Sequence, residues 1–307
     1  MNKQVISIIG IGEVGAIVAS LLLSKFTFVT FNLIDVNANE MHGKLLDLEH
    51  AAAARNNNIV VNDNALLCQS QTIVYTAGYG NSIGMDRNSV AAHNKEIVHQ
   101  IFKGKNLLKT AVIIVVTNPV ELISHWISEL FDHNILVLGT GTSLDTFRLQ
   151  YLLAKHLNVG VEAVEALVLG EHGKHMIPVF SKCQVSNKTV DALLSEQEKE
   201  VLLSALKASA TSIRKTEAAT KYGVSECVCQ IVEHLMGAAN SIPLSIKINA
   251  FYKELLQIQE DIFISLPCLV SESGVNIVNS LDYTNKEIQD LKAAANALHS
   301  LIQQVEI

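Results

Sequence analysis

Val5-Ile6-Ser7-Ile8-Ile9-Gly10-Ile11-Gly12-Glu13-Val14-Gly15 is an apolar run that breaks into glycines spaced G-x-G-x-x-G and continues as a helix-period stretch, Glu13–Ser24. The order strand, glycines, helix gives the motif its weight, because a bare G-x-G-x-x-G occurs widely. The first glycine permits a tight turn, the second lets backbone approach a diphosphate, and the third lets helix and strand pack closely. The opening turn of the helix offers N–H donors to phosphate charge. Asp35 closes the next apolar run about 20 residues on, where a carboxylate can take a ribose 2′-hydroxyl. The same charge repels a 2′-phosphate. The expectation is a dinucleotide site at Gly10, Gly12, Glu13, Val14, Gly15 and Asp35, for NAD rather than NADP. Glycines that serve only a turn, beside an ordinary surface acid, would leave the shared register of these features unexplained.

Outward from this stretch, short apolar runs alternate with helical patterns. Val5–Ile9, Phe28–Ile34, Ile59–Val61, Ile73–Thr76, Ala111–Thr117 and Ile135–Leu138 read as strands. Glu13–Ser24, Met41–Ala54, Val90–Phe102 and Val120–Phe131 read as helices between them. Such βα alternation implies a parallel sheet covered by helices, a Rossmann-type doubly wound α/β domain over residues 1–139. After Gly139 the pattern changes. A helix at Ser143–Leu157 precedes strand-like runs near Ala163–Leu169 and Ile177–Val185 and helices near Ser195–Lys215 and Ser225–Ala239. Strand signals at Pro243–Ile248 and Asp261–Leu266 and a helix from Asn285 complete an α+β substrate domain, residues 140–307.

Composition narrows the function classes. With 307 residues, 49% hydrophobic and only 5% aromatic, the chain suits buried Ile/Val/Leu strands. A formal net charge of −7 advertises no nucleic-acid or anionic-membrane surface. Cys68, Cys183, Cys227, Cys229 and Cys268 form no CxxC pair, so free thiols in a reducing compartment are expected. Apolar runs such as Ala111–Val116 are strand-sized, and Gly10, Gly12 and Glu13 interrupt the first one too early for a signal peptide. A cytoplasmic protein without a membrane partner is expected.

Asp145 and Arg148 stand three apart on a predicted helix and share a face. The carboxylate could orient a histidine and the guanidinium could clamp a substrate carboxylate; an intrahelical salt bridge explains the pair equally well. His172 lies between Gly170-Glu171 and Gly173 at the end of an apolar run. Its side chain titrates near neutrality and suits proton transfer, although a lone histidine is more often structural. Arg87 ends the loop Gly78-Tyr79-Gly80-Asn81-Ser82-Ile83-Gly84-Met85-Asp86, whose three glycines suit a lid; a solvated surface arginine is the alternative. Asn118 leaves the carboxyl end of a core strand, where ligands of open α/β sheets bind.

The ordered set Gly10–Gly15, Thr76-Ala77-Gly78, Thr117-Asn118-Pro119-Val120, Gly139–Thr146, Gly170–Gly173, Ile264–Pro267 and Gly274-Val275 resembles the L-lactate/malate dehydrogenase family. The resemblance runs from end to end and includes the related L-2-hydroxyisocaproate dehydrogenases. It implies His172 as general acid/base, Asp145 as its partner, Arg148 as carboxylate clamp and Arg87 as the polarising lid arginine. It further implies cofactor contacts at Thr76, Ala77, Gly78 and Asn118, with Asn118 also meeting the substrate, and a homodimer or homotetramer. No metal is expected. An NAD-dependent glycosidase would need Cys and His ligands, which have no metal-binding pattern near His172. A non-catalytic NAD-binding protein would not need the chemical residues.

Within this resemblance, substrate choice rests largely on the residue six before the lid arginine, commonly Gln in lactate enzymes and Arg in malate enzymes. Here it is Asn81, and Gly80, Ser82 and Ile83 add no charge. A second substrate carboxylate would stay unpaired, costing several kcal/mol if buried. Val224 occupies a position usually small or hydroxylic, making one wall apolar. The expected substrate is a monocarboxylic 2-oxo acid, pyruvate or a slightly larger apolar one; malate is the alternative. Many bacterial lactate enzymes bind fructose 1,6-bisphosphate through an arginine and a histidine at the positions of Gln150 and Glu165. An acid opposite a phosphate should abolish anion binding, so no site for this effector is expected. Lys174 replaces the acid that usually follows the His-Gly pair.

Overall fold

The computed structural model describes residues 4–79, 87–217, 220–237, 239–280 and 282–306, with the side chains of residues 87–89 and 306 outside the description. The chain divides into two compact units, Met1–Gly139 with Lys221–Glu233, and Thr140–Thr220 with His234–Ile307.

The first unit carries β1 (Val5–Ile9), α1 (Glu13–Lys25), β2 (Thr30–Ile34), α2 (His42–Ala53), β3 (Asn58–Val61), α3 (Asn64–Cys68) and β4 (Thr72–Tyr75). It continues with α4 (Arg87–Phe102), β5 (Val112–Val115), α5 (Val120–Leu130) and β6 (Leu136–Gly139). All six strands are parallel, in the order β3-β2-β1-β4-β5-β6. Helices cover strands on both faces, so β1 and β4 are buried at every position and read as near-continuous apolar runs, with the buried hydroxyl residues Ser7 and Thr72 among them. The strand order reverses between β1 and β4. In such sheets ligands bind beyond the carboxyl ends at that switch point, which is where Gly10–Gly15 leaves β1 and Thr76–Gly78 leaves β4.

The run Phe28–Ile34 becomes a strand only from Thr30. Asn57 explains the late start: its side chain accepts from Val29 N (3.0 Å) and donates to the carbonyls of Leu23 (3.2 Å) and Phe26 (2.8 Å). Phe28 sits in the resulting turn with φ 62°, 68% exposed.

The second unit contains α6 (Ser143–Leu157), β7 (Val164–Glu165), β8 (Val168–Gly170), β9 (Met176–Pro178), β10 (Gln184–Val185) and β11 (Lys188–Thr189). It then has α7 (Val190–Leu193) and α8 (Glu196–Arg214). After α9 (Tyr222–Leu235) come β12 (Asn240–Lys247), α10 (Ala250–Leu256), β13 (Phe263–Ser271), β14 (Gly274–Ile277) and α11 (Asn285–Glu306). An antiparallel ladder runs β12-β13-β8-β9 with β14 also on β13, and β11-β10-β7 form a small second sheet. The single runs Ala163–Leu169 and Ile177–Val185 therefore each split between two sheets. One apolar core, including Leu149, Leu153, Val168, Cys183, Leu202 and Leu206, joins α6 and α8 to these strands. The doubly wound parallel sheet followed by a mixed α+β unit matches the fold class expected from the sequence.

Helix α9 departs from the expected division. Most of it packs with the first unit rather than with residues 140–307. Lys221 at its start pairs with Glu13 at the start of α1 (3.1 Å), and Glu233 near its end pairs with Lys25 at the end of α1 (3.0 Å). The two helices thus run side by side in the same direction, and Val224 stands in the unit that holds the glycine loop.

Candidate active site

In the first unit the glycine loop is held at almost every peptide. Gly10 has φ +91°, its N–H donates to Ile34 O (2.7 Å), and its carbonyl accepts from Thr76 Oγ1 (2.6 Å). A Cβ on Gly10 would lie 2.5 Å from Ala77 N, and one on Gly15 would lie 1.9 Å from Gly10 O. Only glycine lets α1 start this close to β1. At Gly12 the situation is opposite, with no atom within 4 Å of a Cβ. Gly12 caps α1 without any side-chain hydrogen bond, and among the described residues the N–H groups of Gly12 and Glu13 take no partner. Open space in front of orphan helix donors is what a diphosphate requires.

Asp35 is fixed beside this loop. Its Oδ2 accepts from Ile11 N (2.7 Å) and its Oδ1 from Asn37 N (2.8 Å), while Asn62 brackets its backbone. Each carboxylate oxygen keeps a lone pair for a ribose hydroxyl. Glu13, an acid at the mouth of the cradle, is neutralised by Lys221. Beyond β4, Thr117 Oγ1 donates to Ala77 O (2.9 Å), and the buried Asn94 accepts from Tyr79 N (2.7 Å) and donates to Asn118 O (3.0 Å). The segment Ala77–Tyr79 and Asn118 are thereby tied together at the carboxyl ends of β4 and β5, while Thr76 is bonded to the glycine loop. Val224 lies next to Ser225, whose hydroxyl donates to Lys221 O (2.7 Å) and lies 3.4 Å from Val14 O. Asn81 falls outside the described residues, as does the side chain of Arg87, whose backbone opens α4.

The cradle makes two glycines separable by experiment. Gly15→Ala forces a methyl into backbone, which costs about 1–3 kcal/mol; both melting temperature and NADH affinity are expected to fall. Gly12→Ala meets nothing in the protein, so it should melt close to wild type yet bind NADH about tenfold or more weakly in a fluorescence titration. Unchanged NADH affinity in Gly12→Ala would remove the diphosphate from this space.

In the second unit one buried carboxylate joins two of the candidate site residues. Asp145, in the first turn of α6 and 0% exposed, receives His172 Nδ1 on Oδ2 at 2.7 Å and Arg148 Nη1 on Oδ1 at 3.0 Å. Burial pushes its carboxyl pKa up, but the hydrogen bond and charge of His172, then Arg148, outweigh that and hold it below the ordinary carboxylate value. Asp145 is therefore an anion at neutral pH. Its grip on Nδ1 orients the imidazole and leaves Nε2 as the nitrogen on the ring's opposite edge. Arg148 meets Asp145 through one N–H and has further donors in the same planar fork. The intrahelical pair with Arg148 and the contact that orients His172, alternatives in the sequence, coexist on one carboxylate.

The spacing of Asp145 and His172 is set by the ends of α6 and β8. Thr142 Oγ1 donates to Val168 O (2.5 Å), Val168 N donates to Thr146 Oγ1 (3.0 Å), and Thr142 N donates to Ser265 Oγ (3.0 Å). Ser265 is also the register partner of Gly170. Both ends thus rest on β13. Gly170 turns the chain with φ +93° into the loop bearing His172, which closes through Glu171 N to His175 O (3.3 Å) and His175 N to Glu171 Oε2 (3.3 Å). Sequence reasoning missed Thr142, Thr146 and Asn94, because a hydroxyl or amide flanking a site looks like any other until its backbone partner is known. Gln150 donates to the carbonyls of Val161 (3.2 Å) and Val164 (2.8 Å), and Glu165 is exposed on β7.

Residues 4–134 match the family described as lactate/malate dehydrogenase, NAD binding domain, and residues 142–307 match its alpha/beta C-terminal domain. The chain belongs to the lactate/malate dehydrogenase family. It is an NAD-dependent oxidoreductase with a Rossmann cofactor unit. The L-lactate dehydrogenase of Moorella thermoacetica is 30% identical, over 98% of each chain. Among solved structures, the minor L-lactate dehydrogenase from Enterococcus mundtii is 26% identical with a TM-score of 0.88, covering 99% of each chain. The malate dehydrogenase from Picrophilus torridus shares the fold at a TM-score of 0.89 with 24% identity, over 99% of this chain and 98% of that one. Among the described residues no helix is long and apolar enough to cross a membrane.

Proposed function

We propose that this member of the family is an L-2-hydroxy acid dehydrogenase that reduces a monocarboxylic 2-oxo acid, pyruvate or one with a slightly longer apolar side chain, with His172 as proton donor. The observation that carries this reading is the shared carboxylate of Asp145, which couples a histidine to a carboxylate-clamping arginine. The nearest chemistry needing both groups together is proton transfer to a carbonyl adjacent to a carboxylate.

In this mechanism Gly10–Gly15 and Asp35 would hold NADH, which when bound would supply a hydride for the carbonyl carbon. Arg148 holds the substrate carboxylate through a bidentate pair. His172 Nε2 gives its proton to the carbonyl oxygen, and the imidazole keeps its Nδ1 proton on Asp145. Arg87 polarises the same oxygen as charge develops, and Asn118 donates to it. The carbonyl thereby becomes a hydroxyl, and His172 regains its proton from water or, in the reverse direction, takes one from the 2-hydroxy acid.

The substrate assignment rests on charge. Asn81 provides no partner for a second carboxylate, and Val224 supports an apolar wall. The test is NADH oxidation followed at the reduced-nicotinamide absorbance band with pyruvate, 2-oxobutyrate, 2-oxoisocaproate and oxaloacetate. A monocarboxylate is expected to show the highest kcat/KM, with oxaloacetate lower by about a hundredfold or more, the size of an unpaired charge of a few kcal/mol. Oxaloacetate reduced best would make the enzyme a malate dehydrogenase and sink the assignment.

A further inference from the structure

We infer that Lys44, a residue outside the glycine motif, is a cofactor-positioning residue that aims the loop's central peptide at the dinucleotide diphosphate. The inference rests on dinucleotide binding by the first unit and is independent of which 2-oxo acid is reduced.

Lys44 lies in the first turn of α2, and its ammonium donates to the carbonyl of Ile11 at 3.1 Å. Ile11 is thus gripped twice, its N–H by Asp35 and its C=O by Lys44. The peptide joining Ile11 to Gly12 is planar and trans, so its N–H points away from its C=O. Holding the Ile11 carbonyl on the Lys44 side therefore turns the Gly12 N–H the opposite way. That N–H has no partner among the described residues, and it belongs to the residue whose missing side chain opens empty space. The neighbouring carbonyls are already anchored, Gly10 O by Thr76 and Gly12 O by Ala16 N (3.1 Å). Among the described residues, Lys44 is the one side chain that holds the carbonyl of the peptide between them.

Helix stability does not account for this lysine. A cation in the first turn opposes the helix dipole, and α2 has no acid in that turn to offset it. The residue is exposed, yet its ammonium is directed onto the Ile11 carbonyl of the loop. Its charge also places a cation one peptide unit from the N–H that would meet a phosphate oxygen.

The test uses the full-length protein and two ligands, NADH and ADP-ribose, the latter because it reports the diphosphate cradle without nicotinamide chemistry. Kd values come from fluorescence titration and calorimetry, with melting temperatures in parallel. Lys44→Met is expected to weaken both ligands by about five- to tenfold, Lys44→Glu by more, and Lys44→Arg to recover most of the loss by keeping charge and donor. The Lys44→Met to wild-type ratio should persist in 1 M KCl, where the screening length is about 3 Å, because a peptide clamp does not act at a distance. Kd values within twofold of wild type in both Lys44→Met and Lys44→Glu would overturn the inference. So would a ratio that collapses to one in high salt, which leaves only long-range attraction. Equal losses in Lys44→Met and Lys44→Arg with a lowered melting temperature would assign the residue to packing and overturn it as well.

Discussion

His172→Ala is expected to lower kcat/KM for 2-oxo acid reduction by about 10²–10⁴, the usual contribution of a positioned general acid, while the Kd for NADH stays at the wild-type value. The imidazole is only 23% exposed and its Nδ1 is committed to Asp145, so in the proposed mechanism the ring acts in one orientation through one nitrogen. Removing it takes away the proton donor and leaves the hydride acceptor and the cofactor loop untouched. Asp145 keeps Arg148 as a partner, so the buried carboxylate does not become an isolated charge, and a melting curve near wild type should accompany the lost turnover. Activity unchanged by the substitution would end the mechanism, whatever the substrate. A loss confined to KM for NADH would move His172 into cofactor binding instead.

Asp145→Asn tests the relay behind that histidine, with an expected drop in kcat of two to four orders of magnitude. The amide fills the same space but carries no charge and can present either its oxygen or its NH2 to Nδ1. The imidazole then loses both its fixed orientation and the anion that stabilises its cationic form. Reduction needs the protonated ring, so activity falls as pH rises. An adjacent anion favours the protonated form, and its removal should move that alkaline limb to lower pH, the reading that separates a positioning role from a purely structural one. A drop in kcat with the limb unmoved would argue against the coupling.

The same group predicts the direction of acid lability. Asp145 has its folded-state pKa lowered from an ordinary 3.8. Its contribution to stability is therefore complete above the unfolded value and is lost as pH falls through the lower, folded one. Asp145→Asn should flatten that part of the acid-denaturation curve. The neutral-pH activity limb cannot come from Asp145, which remains ionised throughout that range.

Part of this was legible in the linear chain. Gly10–Gly15 after a mostly apolar run, and Asp35 at the end of the next, are local signals; each residue's type is dictated by its own backbone or by a neighbour a strand away. The parallel sheet follows from them, since strands buried on both faces read as continuous Val, Ile and Leu. Asp145 and Arg148 could be placed together because helical spacing is short-range.

Other features became visible only in three dimensions. Nothing local distinguishes Thr142 and Thr146 from ordinary hydroxyls, yet both grip Val168 and so set the reach from Asp145 to His172. Lys44 reads as a solvated helix lysine until the loop folds back to put the Ile11 carbonyl under it. Helix α9 reads as part of the second half of the chain, but ion pairs at both of its ends bind it along α1 and carry Val224 to the cofactor unit. By itself, the sequence determined the dinucleotide fold and the family and named the candidate chemical groups, because those depend on residue type and near-neighbour spacing. The tertiary structure decided which partner each group serves and which unit holds α9, because hydrogen bonds and ion pairs between residues tens to hundreds of positions apart leave no periodicity in the chain.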